Sequence, residues 1–301
     1  MSDSSASFQP PSPQQLQAHL QRCAPRRTVQ PRQVLLAICV ITLVIWMLGS
    51  AHPLLSLVPW VMLMGLLIYL SVRARRQQAL MRQVRVVSEL AMTRRSRDAL
   101  RAAWKLLPDL SGLPQAHGQV VTILASVLAQ LRAHESSLVA CDYLLPHIPP
   151  NHPASYMVRA QRLLDLLHID RLADADDAIR DLRSADLDPL SGAMLRTAEL
   201  YQQIITHHDE DAALGSDDAI AALQPLGIDA GYGYALLATA FIRLDNAPDA
   251  GAWWRRATLL LPSASIFEAL PETQPLTALP ASPTVDQFLR PTESTTEASH
   301  G

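Results

Sequence analysis

The feature that most constrains this chain is a run of 39 residues, Val34 to Val72, that contains no Asp, Glu, Lys or Arg. One bilayer crossing needs about 20 apolar residues, so the run is too long for one span and suits two. Gly49 and Pro53 favour a turn, which divides the run into the arms Val34–Leu48 and Leu54–Val72. Backbone groups in hydrocarbon must bond within their own segment, so each arm is predicted to be a transmembrane helix.

Arginines on both sides of this predicted hairpin indicate its orientation. They are Arg22, Arg26, Arg27 and Arg32 before it and Arg73, Arg75 and Arg76 after it. Arginine clusters favour the cytosolic side, so we expect a multi-pass protein of the cytoplasmic (inner) membrane, with both termini cytosolic and residues 34–72 in the lipid bilayer. Three alternatives stay open: a re-entrant hairpin, a signal peptide ending at Ala51, and a hairpin buried in a soluble core.

The remaining segments divide by composition. Residues 1–33 and 265–301 are rich in Ser, Pro and Gln or Thr, with few side chains to bury, and are predicted to be a disordered leader and a disordered tail. Residues 73–264 carry abundant Ala, Leu and Arg, and the whole chain has only 11 glycines and 5% aromatic residues. This composition favours helix over sheet, so the predicted fold class is all-α.

The stretch 234–262 has large and small residues at regular helical steps. Four residues share one face of a first predicted helix, and three share a face of a second helix that a proline ends. They are Tyr234, Leu237, Ala238 and Phe241, then Ala250, Trp254, Ala257 and Pro262. The alanines allow two helices to approach closely while the aromatic side chains fill the space beside them.

These eight positions resemble a tetratricopeptide (TPR) repeat, a helix–turn–helix unit of about 34 residues. Weaker copies follow the same pattern upstream. They are Ser96, Leu100, Ala103 and Pro108; Val121, Leu124, Ala125, Leu128, Ser137, Cys141, Leu144 and Pro149; Tyr156, Ala160, Leu163, Ala175, Ile179 and Leu182; and Met194, Ala198, Tyr201, Ala219 and Leu223 across a longer loop. The resemblance implies an α-solenoid of about five stacked helix pairs within 73–264.

Neither glycine nor proline occurs between Gly65 and Pro108. A helix in this stretch has no residue that would break it. We therefore predict one unbroken helix from about Trp60 to Met92, which joins the hairpin to the first repeat.

Residues suited to catalysis or metal binding are few. The best candidate is "HHDED", His207–Asp211, but it lies in a predicted loop without a second pair of ligands at a useful spacing. The three cysteines, Cys23, Cys39 and Cys141, are far apart and form no metal-binding pair. No nucleophile, zinc-hydrolase or phosphate-loop motif is present, so we predict no catalytic, metal or cofactor-binding residue and no enzyme activity.

The resemblance also implies a partner-binding groove, lined by one face of each first helix. Its predicted residues are Met157, Gln161, Leu164, Glu199, Gln202, Ala235, Thr239 and Ile242. Family members that grip a terminal carboxylate use Lys and Asn at such places, and none occurs here. Residues 170–229 hold 14 acids and four arginines, which favours a basic protein partner and disfavours nucleic acid.

Together these features predict a membrane-anchored adaptor or scaffold that binds protein partners on the cytosolic side, with no small-molecule substrate evident. One alternative is a structural subunit of a larger membrane complex. Another is a membrane-bound enzyme that uses the 207–211 loop. A single lysine against 24 arginines is typical of a GC-rich genome, and we expect a bacterial origin.

Overall fold

The computed structural model describes residues 9–25 and 57–279, and every regular element in those ranges is helical. The all-α class is therefore confirmed. The chain divides into two compact units, 1–131 and 132–301. The helices are α1 Pro13–Cys23, α2 Leu57–Met92, α3 Ser96–Leu106, α4 Pro114–Gln130, α5 His134–Leu144, α6 Pro153–His168, α7 Leu172–Arg183, α8 Pro189–Ile205, α9 Asp209–Leu214, α10 Ala219–Leu223, α11 Ala230–Arg243, α12 Ala247–Leu260 and α13 Ser263–Ala269, with 3₁₀ helices at Leu107–Leu110, Leu145–His147, Gln224–Asp229 and Pro271–Ala278.

Five tight turns of one kind connect successive helices. Within the described ranges, the non-glycine residues with positive φ are Arg94, Arg132, Asp170, His207 and Asp245, spaced 38, 38, 37 and 38 residues apart. At four of these turns, the residue after the left-handed one donates its N–H to the carbonyl five residues earlier, as Asn246 does to Phe241 at 2.9 Å. This is the bonding of a Schellman helix end. The turns link α2 to α3, α4 to α5, α6 to α7, α8 to α9 and α11 to α12.

Each left-handed turn is followed, five residues later, by a small side chain with no exposed surface. These residues are Ala99, Ser137, Ala175, Ala212 and Ala250. The residues seven positions before each turn are also buried, namely Val87, Ala125, Leu163, Leu200 and Ala238. A small side chain at a fixed place lets the backbone of the second helix approach its neighbours closely. The described chain thus contains five helix–turn–helix segments with one internal period.

In the first unit, helix α1 packs against the 3₁₀ helix Leu107–Leu110. Leu16 and Leu20 are fully buried, and the His19 ring stacks on Trp104 with centroids 3.9 Å apart. Ser12 caps the helix in a capping box with Gln15. The prediction of a disordered leader over 1–33 is therefore wrong for residues 13–23, because the leucines spaced four apart form a stripe that can be buried.

Helix α2 confirms the predicted unbroken helix from Trp60 to Met92 and extends it to 36 residues. It packs on α3 and α4. Its fully buried side chains, Val84 and Val87, lie in its second half.

The predicted membrane localisation is corrected by the structure. Among the described residues, no helix is both long enough and apolar enough to cross a bilayer. The uncharged part of α2, Leu57 to Val72, covers 16 residues before Arg73, whereas a span needs about 20. The arm Val34–Leu48 and residues 54–56 lie outside the described residues. The prediction of a multi-pass protein of the cytoplasmic membrane with both termini cytosolic is contradicted.

The second unit has a continuous apolar core that extends from α5 to the C-terminal elements. Ile266 of α13 and Leu276 of the last 3₁₀ helix belong to this core, and both are fully buried. The prediction of a disordered tail over 265–301 is therefore wrong for residues 265–279, while 280–301 lie outside the described residues. The longer loop predicted after Tyr201 instead contains helix α9, and Ala212 rather than Ala219 takes the repeated small position.

Trp254 tests the core of the last helix pair. It is 1% exposed and its ring lies 5.3 Å from that of Phe267. We expect Trp254→Ala to lower the free energy of unfolding by about 3–5 kcal/mol, because it empties a large buried site. Trp254→Phe should cost clearly less. It keeps most of the volume and removes an indole N–H that is buried without a hydrogen-bond partner in the described part of the chain. Urea unfolding measures both. Leu259→Ala, at a half-exposed site of the same helix, is the control, and an alanine variant within about 0.5 kcal/mol of wild type would contradict the packing.

Asp245 tests the left-handed turns. Its φ is 58°, a conformation that strongly disfavours β-branched residues. We expect Asp245→Val to lower the free energy of unfolding by about 1–2 kcal/mol and Asp245→Gly to leave it unchanged or raised. Thermal melts of the two variants measure the difference. Equal melting temperatures for valine and glycine would show that the turn does not hold this conformation.

Candidate functional site

A buried carboxylate joins two helices of the second unit. Asp165 lies within the apolar sequence "LLDLL" of α6 and has no exposed surface. Its Oδ2 accepts a hydrogen bond from the Ser137 hydroxyl at 2.6 Å, and its Oδ1 accepts one from His134 Nδ1 at 2.9 Å. Gln161 adds a longer contact, 3.5 Å, to Oδ1. An ionised buried carboxylate is stable only with such partners, so these bonds fix α5 against α6.

The network continues through aromatic rings to the last 3₁₀ helix, Pro271–Ala278. The His134 ring stacks on His168 with centroids 4.2 Å apart, and His168 lies 4.7 Å from the Tyr201 ring. Tyr201 then donates its hydroxyl hydrogen bond to Glu272 Oε1 at 3.1 Å. A chain of contacts therefore leads from α5 through α6 and α8 to the last 3₁₀ helix.

Burial shifts the pKa of two of these rings, His168 and Tyr201. It lowers the pKa of His168, and the adjacent His134 lowers it further, which favours the neutral ring. The His168 Nδ1 donates to the Leu164 carbonyl at 2.8 Å. Burial also raises the pKa of Tyr201, and the Glu272 carboxylate adds to that rise. The Tyr201 hydroxyl therefore keeps its proton and remains a donor.

The residue types of this network resemble those of a hydrolase triad, but the connections differ. In a triad the histidine accepts the serine proton and the carboxylate holds the other ring nitrogen. Here Ser137 and His134 bond to different oxygens of the same carboxylate, so the Ser137 proton points to Asp165. Burial, followed by the Asp165 charge, raises the pKa of nearby Cys141, which keeps its thiol protonated. The arrangement fixes helices and does not activate a nucleophile.

The 207–211 stretch, the predicted alternative for an enzyme site, belongs to a turn and to α9. His207 takes the left-handed turn position and His208 Nδ1 lies 2.8 Å from the Thr206 hydroxyl. Asp209 pairs with Arg243 at 3.3 Å. Over residues 9–25 and 57–279, no three His, Cys, Asp or Glu side chains are placed to hold a metal ion.

The predicted groove residues do not form one continuous exposed face. Ala235 and Thr239 are fully buried on α11, and the Thr239 hydroxyl donates to the Ala235 carbonyl at 2.9 Å. The groove prediction is wrong for these two residues, because α11 is packed against α8, α9, α12, α13 and two 3₁₀ helices. Leu164 and Ile242 are half-buried against the core. Met157 is 37% exposed.

The polar members of the predicted groove are already engaged. Glu199 lies between two arginines, 2.6 Å from Arg183 and 3.5 Å from Arg196. The Gln202 amide donates to Asp176, as the Gln161 amide does to Asp165. The polar groups of Glu199, Gln161 and Gln202 are thus already paired within the protein, and they are less available to a partner.

Exposed carboxylates are frequent on α7 and on the segments up to residue 229. We call the exposed side chains of residues 170–229 the acidic surface. Its exposed members are Asp170, Asp174, Asp176, Asp177, Asp181, Asp186, Glu210, Asp211, Asp217, Asp218 and Asp229. All four arginines of residues 170–229 are paired: Arg171 with Asp174, Arg180 with Asp177, and Arg183 and Arg196 with Glu199. The excess negative charge is therefore not neutralised within the segment.

A cleft of about 770 Å³ opens at one end of the acidic surface, between the start of α6 and the turn from α7 to α8. Its lining includes Tyr156, Arg159, Asp181, Asp186 and Asp188. Asp188 caps α8. Hydrogen bonds from the Ser191 hydroxyl and from the backbone N–H groups of Ser191 and Leu190 lower its pKa.

Sequence reasoning missed the buried network entirely. His134 and Asp165 are 31 residues apart, and their meeting depends on the turns before α5 and α6. One signal was available, because a lone Asp inside "LLDLL" on a buried helix face requires polar partners.

We expect the lowered pKa of His168 to make the protein less stable in mild acid. The unfolded chain takes up the proton near pH 6.5, whereas the folded ring resists it, so stability is full above pH 6.5 and falls as the pH drops below it. The groups facing His168 are His134, Asp165, Tyr201 and Glu272. His168→Gln should flatten the dependence of unfolding free energy on pH between 7 and 5. Part of the slope should remain, because burial also lowers the pKa of His19. His147→Gln, at an exposed site, is the matched control, and an unchanged slope in His168→Gln would contradict the expectation.

Comparisons with protein-family models, with curated proteins and with solved structures found no match. Two features of this chain therefore bear on its function: the acidic surface with its cleft, and the contact of the last 3₁₀ helix, Pro271–Ala278, with Tyr201.

Proposed function

We propose that this protein is a helical-repeat adaptor that binds other proteins through its second unit. Helix pairs stacked with a constant period expose a long surface, and proteins of this type use that surface to bind partners. Support comes from the five left-handed turns at intervals of 37–38 residues and from the small buried residue that follows each.

We also propose that the repeats are TPR-like. Ala238, Ala250, Trp254 and Ala257 are buried, as the small and aromatic residues of that motif are. The interval of 37–38 residues exceeds the 34 residues of a standard TPR, so each repeat here is about four residues longer than that of the family.

The proposed class of partner rests on the excess negative charge of the acidic surface. Residues 170–229 contain 14 acids and four arginines, and every one of those arginines is already paired. Such a surface attracts a basic protein from a distance and repels the phosphates of nucleic acid. The partner is therefore a protein with a basic surface or segment.

Crosslinking in cells tests this proposal. A photoreactive amino acid at position 187, inside the cleft, should capture a protein whose captured segment is rich in Lys and Arg. Neutralising four exposed acids, Asp181→Asn, Asp186→Asn, Asp217→Asn and Asp218→Asn, should reduce capture at least tenfold, because the attraction depends on their charge. The readout is the yield of the crosslinked band and the identity of its peptide.

The matched control neutralises two exposed arginines of the same unit, Arg255→Gln and Arg256→Gln, and should leave the yield unchanged. Capture of an acidic segment, or equal capture by the four-site variant, would overturn the proposed partner class.

A further inference from the structure

The 3₁₀ helix Pro271–Ala278, which we call the C-terminal segment, reaches a helix outside the last pair of the array. It packs on α11, and its Glu272 accepts a hydrogen bond from Tyr201 of α8 at 3.1 Å. The Glu272 charge also acts on His168 of α6. A further helix added to the end of a repeat array would contact the last pair alone. The C-terminal segment therefore lies on α11 and reaches α8, the first helix of the preceding pair.

The C-terminal segment contacts the body in the manner of a docked peptide. Leu270, Thr273 and Leu276 are buried at intervals of three residues, the period of a 3₁₀ helix. Between them, Pro271, Gln274 and Pro275 are exposed, and so is Thr277, which follows Leu276. The Thr273 and Thr277 hydroxyls bond to carbonyls of the same short stretch, at Leu270 and Gln274. Apolar anchors and the Glu272 carboxylate thus make the attachment.

The attachment is incomplete at its polar end. Glu272 Oε1 accepts from Tyr201, while Oε2 is buried without a hydrogen-bond partner among the described residues. Leaving a buried carboxylate oxygen unpaired weakens the docking relative to a fully bonded ligand. A competing segment that satisfies both oxygens would bind better at this place.

We propose that the face of α8 and α11 beneath the C-terminal segment is a peptide-binding site, and that the segment fills it as a built-in competitor. The ligand class is a short peptide with a carboxylate that accepts from Tyr201 and a leucine four residues later, as in Glu272 and Leu276. This site is separate from the acidic surface, so the inference does not rest on the proposed basic partner.

The test uses the full chain and a fluorescein-labelled peptide with the sequence of residues 269–279, ALPETQPLTAL. In wild type the chain's own segment blocks the site, so anisotropy should show little binding. Leu276→Asp should release the segment and raise the affinity for the peptide at least tenfold. Thr277→Asp changes an exposed neighbour and should behave as wild type.

A second comparison tests the hydrogen bond. In the Leu276→Asp chain, Tyr201→Phe should weaken peptide binding about tenfold, and so should Glu272→Ala in the peptide. Because both changes remove the same hydrogen bond, the two together should weaken binding no more than either one alone. Three results would each overturn the proposal: no gain in binding by Leu276→Asp, loss of its cooperative melt, or fully additive effects of the two hydrogen-bond changes.

Discussion

The fold depends on a left-handed turn followed by a small buried residue, repeated five times. The turn reverses the chain within three residues and satisfies helix-end carbonyls, as the bond from Asn246 to Phe241 does. The small residue five positions later removes the side-chain bulk that would hold the second helix away. A larger side chain there would require shifted backbones or strained rotamers in a tightly packed interior. The five turns tolerate Arg, Asp and His, whereas the small position accepts only Ala or Ser. Close approach is thus a stricter requirement than the turn conformation.

Polar groups inside the second unit supplement this apolar framework at one place. Asp165 of α6 receives two hydrogen bonds from α5, and the stacked rings of His134 and His168 extend the contact towards Tyr201. A buried charge gives little net stability, but breaking its bonds is costly, so the network restricts α5 and α6 to one arrangement. Because Tyr201 also binds Glu272, the position of the C-terminal segment is linked to the same network.

Much of the fold could be predicted from sequence, and the errors have physical causes. The all-α class, the long helix through Met92 and the last helix pair followed from composition, the absence of Gly and Pro, and helical spacing. Among the weaker copies, Ala125 stands at the same distance from its turn as Ala238, and Ser137 and Ala175 stand at the same distance as Ala250. Ser96, Ala160 and Ala198 were misplaced by two or three residues, since leucine and alanine occupy several faces of the same helices. For example, Leu163, rather than Ala160, is the counterpart of Ala238.

The docked parts of the leader and tail were missed because a few buried leucines suffice to order a short helix against an existing core. The membrane prediction rested on a run of residues that does lack charge, but none of the described helices is long and apolar enough to cross a bilayer. The groove residues failed where tertiary neighbours cover them, as at Thr239.

The two features that lower stability, the unpaired Glu272 oxygen and the excess of acids in residues 170–229, are also the basis of the proposed binding. A chain shaped for stability alone would pair Glu272 Oε2 and would spread lysines or arginines among the acids of residues 170–229. Here Glu272 Oε2 is buried without a hydrogen-bond partner among the described residues, and the acids of residues 170–229 outnumber the arginines by ten. Natural proteins break such local rules chiefly where function requires it. The two violations lie at different places and differ in kind: one is short-range and geometric, the other long-range and electrostatic. A surface charge brings a partner close, whereas an unsatisfied hydrogen-bonding site favours replacement of one peptide by another. Both features therefore support binding as the purpose of the second unit.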